Sequence, residues 1–160
     1  MIGVYQQEDL DYFDLVEKAL KKYLNLESVY AGFFKLPTNS YNPSRRQYDS
    51  NTIIKNLAET NKNKFAFKIG IVDVDIYAHR MNFIFGMADP LHKTALVSTH
   101  RLVGEKIAEH ICKEVVHEVG HLFGLGHCSN SQCVMYFSNT IIDTDNKGVD
   151  LCKNCRVKIG

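Results

Sequence analysis

The run His117-Glu118-Val119-Gly120-His121-Leu122-Phe123-Gly124-Leu125-Gly126-His127 restricts the fold of this chain more than any other segment. It reads H-E-x-x-H-x-x-G-x-x-H without a gap. Histidines four apart on an α-helix stand on one face, one turn apart, so both imidazoles can reach one metal ion. A helix that simply continued would carry His127 away from that ion, so the chain must turn within a few residues of His121. Gly124 permits the turn because it lacks a Cβ and can take the left-handed conformation that ends helices, and Gly126 adds freedom for the return of His127. Any fold must therefore bring a helix end, a glycine turn and a returning segment to one point.

Three neutral imidazoles make a tetrahedral zinc site with one position left for water, the pattern of a catalytic rather than a structural metal. Glu118 follows a ligand directly and projects about 100° around the helix from it, beside the metal rather than onto it. A carboxylate there can take a proton from an attacking water and return it to a leaving amine. The expected chemistry is hydrolysis of a peptide or amide bond. A zinc site that binds without catalysing remains an alternative, against which the presence of Glu118 argues.

The surroundings of the motif extend the helix. Val103, Ile107, Ile111, Val115 and Val119 lie four apart, which predicts one long helix with a buried face. Upstream, Ile2 to Tyr5 suggests a strand and Leu10, Phe13, Val16, Leu20 and Leu24 an amphipathic helix. Val29 to Phe34 reads as a strand, Pro37 to Tyr48 as a polar loop, and Asp49 or Ser50 as the N-cap of a helix carrying Ile53, Ile54 and Leu57. Ala66 to Tyr77, Asn82 to Met87 and Ala95 to Ser98 read as three further strands. Strands and helices alternate over residues 1–125, so the expected class is α/β (α+β), a mixed sheet with packed helices. Residues 126–160 show little periodicity and need a staple.

Four of the five cysteines lie in that tail, as Cys128 and Cys133 and then Cys152 and Cys155. Paired thiolates at such spacings, repeated once, make a closed four-cysteine zinc site, with disulfides as the competing reading. Cys112 belongs to neither pair and reads as a packed thiol. Together the histidine and cysteine sets predict two zinc ions per chain, one catalytic and one structural.

Net charge is +1 and the basic residues gather into nothing larger than local pairs such as Arg45-Arg46, so no charge excess points to nucleic acid. The first residues lack the pattern of a signal peptide, and Lys68, Asp73, Asp75, His79 and Arg80 interrupt the most apolar region, so neither export nor a membrane span is expected. A monomeric cytoplasmic protein of one domain, residues 1–160, is the expectation.

Taken together, His117 to His127, Cys128, Cys133, Met135 and the Cys152/Cys155 pair resemble the signature of the archaemetzincins, a family of zinc metalloproteases. The resemblance is specific over residues 117–155 and looser upstream. It implies a metzincin fold with a mixed sheet and helices above a cleft, a peptide or protein substrate, and a methionine turn beneath the catalytic zinc supplied by Met135. From the residues alone Met135 serves equally well as core filler, and Tyr136 as a packed aromatic or a cleft residue. Two further functions stay open: a two-zinc module that binds peptide without cutting it, and a zinc hydrolase of a non-peptide amide. The strand near Asn82 to Met87 is the candidate edge along which an extended peptide would dock. No oxyanion-stabilising residue besides the metal can be named.

Overall fold

The computed structural model describes residues 1–160. Its centre is a five-stranded sheet in the order β2-β1-β5-β8-β7, built from β1 (Ile2–Gln7), β2 (Ser28–Phe34), β5 (Phe67–Val72), β7 (Gly86–Asp89) and β8 (Thr94–Ser98). The first four in spatial order run parallel, while β7 pairs antiparallel with β8 and forms one edge. Period-two alternation assigns the faces. Val4, Ile69, Ile71, Ala95 and Val97 point to one side and pack on α1 (Phe13–Leu24) and α3 (Ile107–Leu122). Tyr5, Val72 and Leu96 point to the other and meet Ile53, Ile54 and Leu57 of α2 (Ser50–Glu59). Each such fully buried aliphatic side chain contributes about 1.5–3 kcal/mol.

The expected class holds, and the boundaries move for identifiable reasons. The long helix begins at Ile107 rather than Val103, because Gly104 turns the chain at φ +113 and leaves Val103 exposed. Helix α1 begins at Phe13, and Leu10 packs against the core from the preceding turn, where Asp9 is left-handed. Ala66 to Tyr77 is not one strand. It divides at Asp73–Asp75 into β5 and β6 (Ile76–Tyr77), because Asp73 and Asp75 are drawn to Thr99 and Arg101. β6 joins a second sheet, β3-β4-β6, whose other strands are β3 (Tyr41–Asn42) and β4 (Gln47–Asp49). The stretch read as a polar loop thus contains a hairpin, with Arg46 left-handed at φ 54 in its turn. Asp49 is the N-cap of α2, accepting from the Asn51 N–H.

Of the expected strand Asn82 to Met87 only its last two residues are strand, and β7 continues to Asp89. Residues 78–85 instead form a loop that folds back on β6, with Ile84 bridging Ile76. Arg45 donates to the Met81 carbonyl at 2.7 Å and stacks on the Tyr77 ring at 4.0 Å, while Gln47 donates to the Asn82 carbonyl at 2.7 Å. The tail has more regular structure than its composition suggests, with α4 (Ile141–Asn146) and α5 (Lys153–Ile159). Thr140 and Asp143 cap α4 reciprocally, a capping box with Asp in place of the usual Glu. No helix is long and apolar enough to cross a membrane.

Candidate active site

Helix α3 runs through the core, with every residue from Lys113 to Gly120 buried. It ends as the sequence requires. The Leu125 N–H bonds the Gly120 carbonyl and the Gly124 N–H bonds the His121 carbonyl, the two hydrogen bonds of a Schellman cap. Gly124 takes the left-handed position at φ +93, whereas Gly126 does not, so one glycine suffices to return the chain. His127 then lies with its ring 5.4 Å from His117 and 4.9 Å from His121. The ligand-capable nitrogens of the three fall within 4.8 Å of one another.

Two of the rings are oriented by the backbone. His117 Nδ1–H donates to the Val134 carbonyl at 2.8 Å and His121 Nδ1–H to the Leu125 carbonyl at 2.7 Å. Burial pushes both imidazoles below their ordinary range, His117 far below it, so both are neutral. Their Nε2 atoms consequently carry lone pairs, and they face each other at 3.1 Å. Two acceptors at that distance repel unless a cation lies between them. Tetrahedral zinc with Zn–N bonds of about 2.0–2.1 Å separates its nitrogens by about 3.3 Å, so the donor set fits such an ion. Phe137 packs on the His127 ring at 4.9 Å between centroids, a contact the sequence did not signal.

Glu118 is buried beside the histidines, and a Cβ added at Gly86 of β7 would lie 2.9 Å from its Oε1. Burial first, and the nearby Glu114 second, raise its carboxyl well above the ordinary range, while Lys147 opposes the rise. Met135 is fully buried, and its sulfur would meet a Cβ on Gly120 at 2.6 Å; it therefore packs on the helix between His117 and His121. A cleft of about 490 Å³ opens in front of the histidines, lined by Met81, Ile84, Gly86 and Met87 on one side and Leu125 and Phe137 on the other. A slightly larger hollow of about 540 Å³ near Lys62 and Lys93 holds no such donor set, and its Lys68 ammonium is committed to the Leu57 and Ala58 carbonyls at the end of α2.

The four tail cysteines also converge, and all five cysteines are free. Cys128 Sγ and Cys152 Sγ stand 3.8 Å apart, far beyond a disulfide and equal to the separation of about 3.8 Å that Zn–S bonds of about 2.3 Å impose. The N–H groups of Cys152 and Met135 point at Cys133 Sγ, at 3.3 and 3.5 Å. The thiols compete for protons. The Cys155 N–H and neighbouring thiols lower Cys152 to about 7, and burial pushes Cys155 up to about 12. Binding of one cation by all four as thiolates would remove that competition. Cys112 stays apart, packed on the core, with burial pushing its thiol up.

Known proteins share this fold. The profile of peptidase family M54 matches residues 5–160. The chain belongs to this family. It is 39% identical over 149 residues to an archaemetzincin of Archaeoglobus fulgidus, covering 91% of this chain and 89% of that one. Among solved structures, archaemetzincin from Methanopyrus kandleri superposes with a TM-score of 0.91 at 31% identity, over 99% of this chain and 92% of that one. A zinc-dependent peptidase from Methanocorpusculum labreanum superposes at 0.89 with 28% identity, over the whole of both chains. The M54 family is one of zinc metallopeptidases, and this chain brings together both the histidine and the cysteine donor groups that its sequence predicts.

Proposed function

We propose that residues 1–160 form a single catalytic domain that hydrolyses peptide bonds, with His117, His121 and His127 as ligands of a catalytic zinc and Glu118 as general base. One observation carries the reading: the neutral Nε2 atoms of His117 and His121 meet at 3.1 Å with both Nδ1 groups committed to carbonyls, beside a buried carboxylate on an open cleft. A zinc ion held there supplies a Lewis acid that polarises the substrate carbonyl and acidifies a water. Glu118 takes the proton of the attacking water on its carboxylate and passes it to the nitrogen of the leaving amine. The outer edge of β7 has no partner strand, so its backbone groups can pair with an extended peptide laid along the cleft.

In the same reading Cys128, Cys133, Cys152 and Cys155 hold a second, structural zinc that fixes residues 126–160, and Met135 forms the methionine turn. Four thiols kept as metal ligands suit a reducing, cytoplasmic setting. The test is incubation of zinc-loaded protein with a mixed peptide library, with cleavage sites read by mass spectrometry. Internal cuts that disappear on chelation are expected. Intact peptides bound without cleavage would favour a non-catalytic module, and turnover confined to non-peptide amides a different hydrolase.

A further inference from the structure

The tail supplies one charged group that the mechanism above leaves unused. Lys147, at the C-terminal end of α4, has a side chain with no solvent exposure, and its Nζ lies 3.3 Å from Glu114 Oε1. Glu114, itself buried, also accepts from Thr144 Oγ1 at 3.3 Å and stands one helical turn before Glu118. An ion pair so far from water is weak evidence for stability, because desolvation of both charges offsets their attraction. Its second contact gives it a purpose. The Lys147 ammonium donates to the Tyr136 carbonyl at 3.2 Å.

That carbonyl is the third of three in succession. The Val134 carbonyl accepts from His117 Nδ1 at 2.8 Å, the Met135 carbonyl accepts from the Cys128 N–H at 2.9 Å, and the Tyr136 carbonyl accepts from Lys147. The next residue, Phe137, packs on His127. One turn thus orients a histidine on α3, reaches the cysteine cluster and supports the histidine beyond the glycine turn. From these contacts we infer that Lys147 is a positioning residue for the histidine site, its ammonium clamping the 134–137 turn to α3 through Tyr136 and Glu114. The inference rests on the reading of His117, His121 and His127 as metal ligands. Lys147 contacts Tyr136 and Glu114 rather than Glu118 or a histidine, and its positioning effect passes through the turn.

The test compares Lys147→Met, Glu114→Gln and the double variant with the parent chain. Thermal melting, cobalt affinity of the histidine site by titration on folded protein, and kcat and KM on a cleaved peptide are read for each. Lys147→Met alone leaves a buried carboxylate uncompensated and lowers the melting temperature; adding Glu114→Gln removes that charge and restores most of it. The clamp stays absent in the double variant. Its histidine site is expected to bind cobalt about 10–100-fold more weakly, as when the support of a metal ligand is removed. Its kcat is expected to fall about 10²-fold with KM little changed, because geometry rather than substrate contact is lost. A double variant with parental melting temperature, cobalt affinity and kcat would overturn the inference and leave Lys147 as half of a structural pair. Should the parent cleave no peptide while cobalt affinity falls as stated, the positioning role stands and only the peptidase reading fails.

Discussion

Replacing Gly86 by Ala should disable the enzyme through a single methyl group. A Cβ at this position would lie 2.7 Å from the Leu96 carbonyl oxygen, 2.8 Å from Glu118 Cγ and 2.9 Å from Glu118 Oε1, against 3.4–4 Å for ordinary contact. The Leu96 carbonyl belongs to β8, held between β5 and β7, and cannot yield easily. Glu118 or the β7 edge must therefore give way by about 0.5–1 Å to recover van der Waals separation. Overpacking of this kind costs about 1–3 kcal/mol of stability. The larger consequence is catalytic, since misplacement by about 1 Å can cost about 10²-fold in rate. Steady-state kinetics on a cleaved peptide, with zinc content measured in parallel, separates the two. Zinc should stay at the parental level, because the atoms nearest the added methyl group belong to Leu96 and Glu118 rather than to a histidine, while kcat/KM falls about 10²-fold. Parental kcat/KM in folded Gly86→Ala would refute the assigned relation between β7 and Glu118.

Two further perturbations reach the site from a distance. Changing Cys152 and Cys155 to Ser should weaken zinc binding at the histidines by about 10–100-fold, because Cys128 adjoins His127 and its N–H holds the Met135 carbonyl; unchanged affinity in folded protein, by zinc titration, would reduce the cysteine cluster to a staple for the tail. Asp75 tests the junction between β5 and β6, where the Arg101 guanidinium holds its carboxyl below the ordinary carboxylate range. Its folded pKa lies below the unfolded one, so its stabilisation is present above about pH 4 and lost as pH falls through the folded value. Asp75→Asn should lower the unfolding free energy from urea titration at neutral pH, by no more than about 1 kcal/mol with Arg101 partly exposed, and the two proteins should converge in acid; a gap independent of pH would contradict the ion-pair origin.

The site was more legible in the sequence than the frame around it. The histidine run and the cysteine pairs are local patterns whose chemistry dictates their geometry, so convergence could be read from spacing alone. The strands were legible where both faces are buried and the apolar run is nearly continuous, as in β1, β5 and β8, and blurred where polar side chains set the boundary, as at Asp73–Asp75. Lys147 was invisible for a different reason. A lysine amid Asp, Asn and Gly in a polar tail has the appearance of a solvated residue, and only the packing of α4 against α3 buries it. Phe137 and Gly86 were likewise ordinary in sequence, because their partners lie on other elements. Glu114, four residues before Glu118 on the same helical face, left the one signal that could have been used: a second carboxylate on the face that carries Glu118 calls for a cation.

The most direct test of the central claim is a paired measurement on Glu118→Gln, counting zinc per chain and peptide turnover in one preparation. Glu118 is assigned to the proton and not to the metal, so zinc content should match the parent while kcat falls by about 10²–10⁴-fold. Peptide hydrolysis at the parental rate by the zinc-loaded variant would contradict the account.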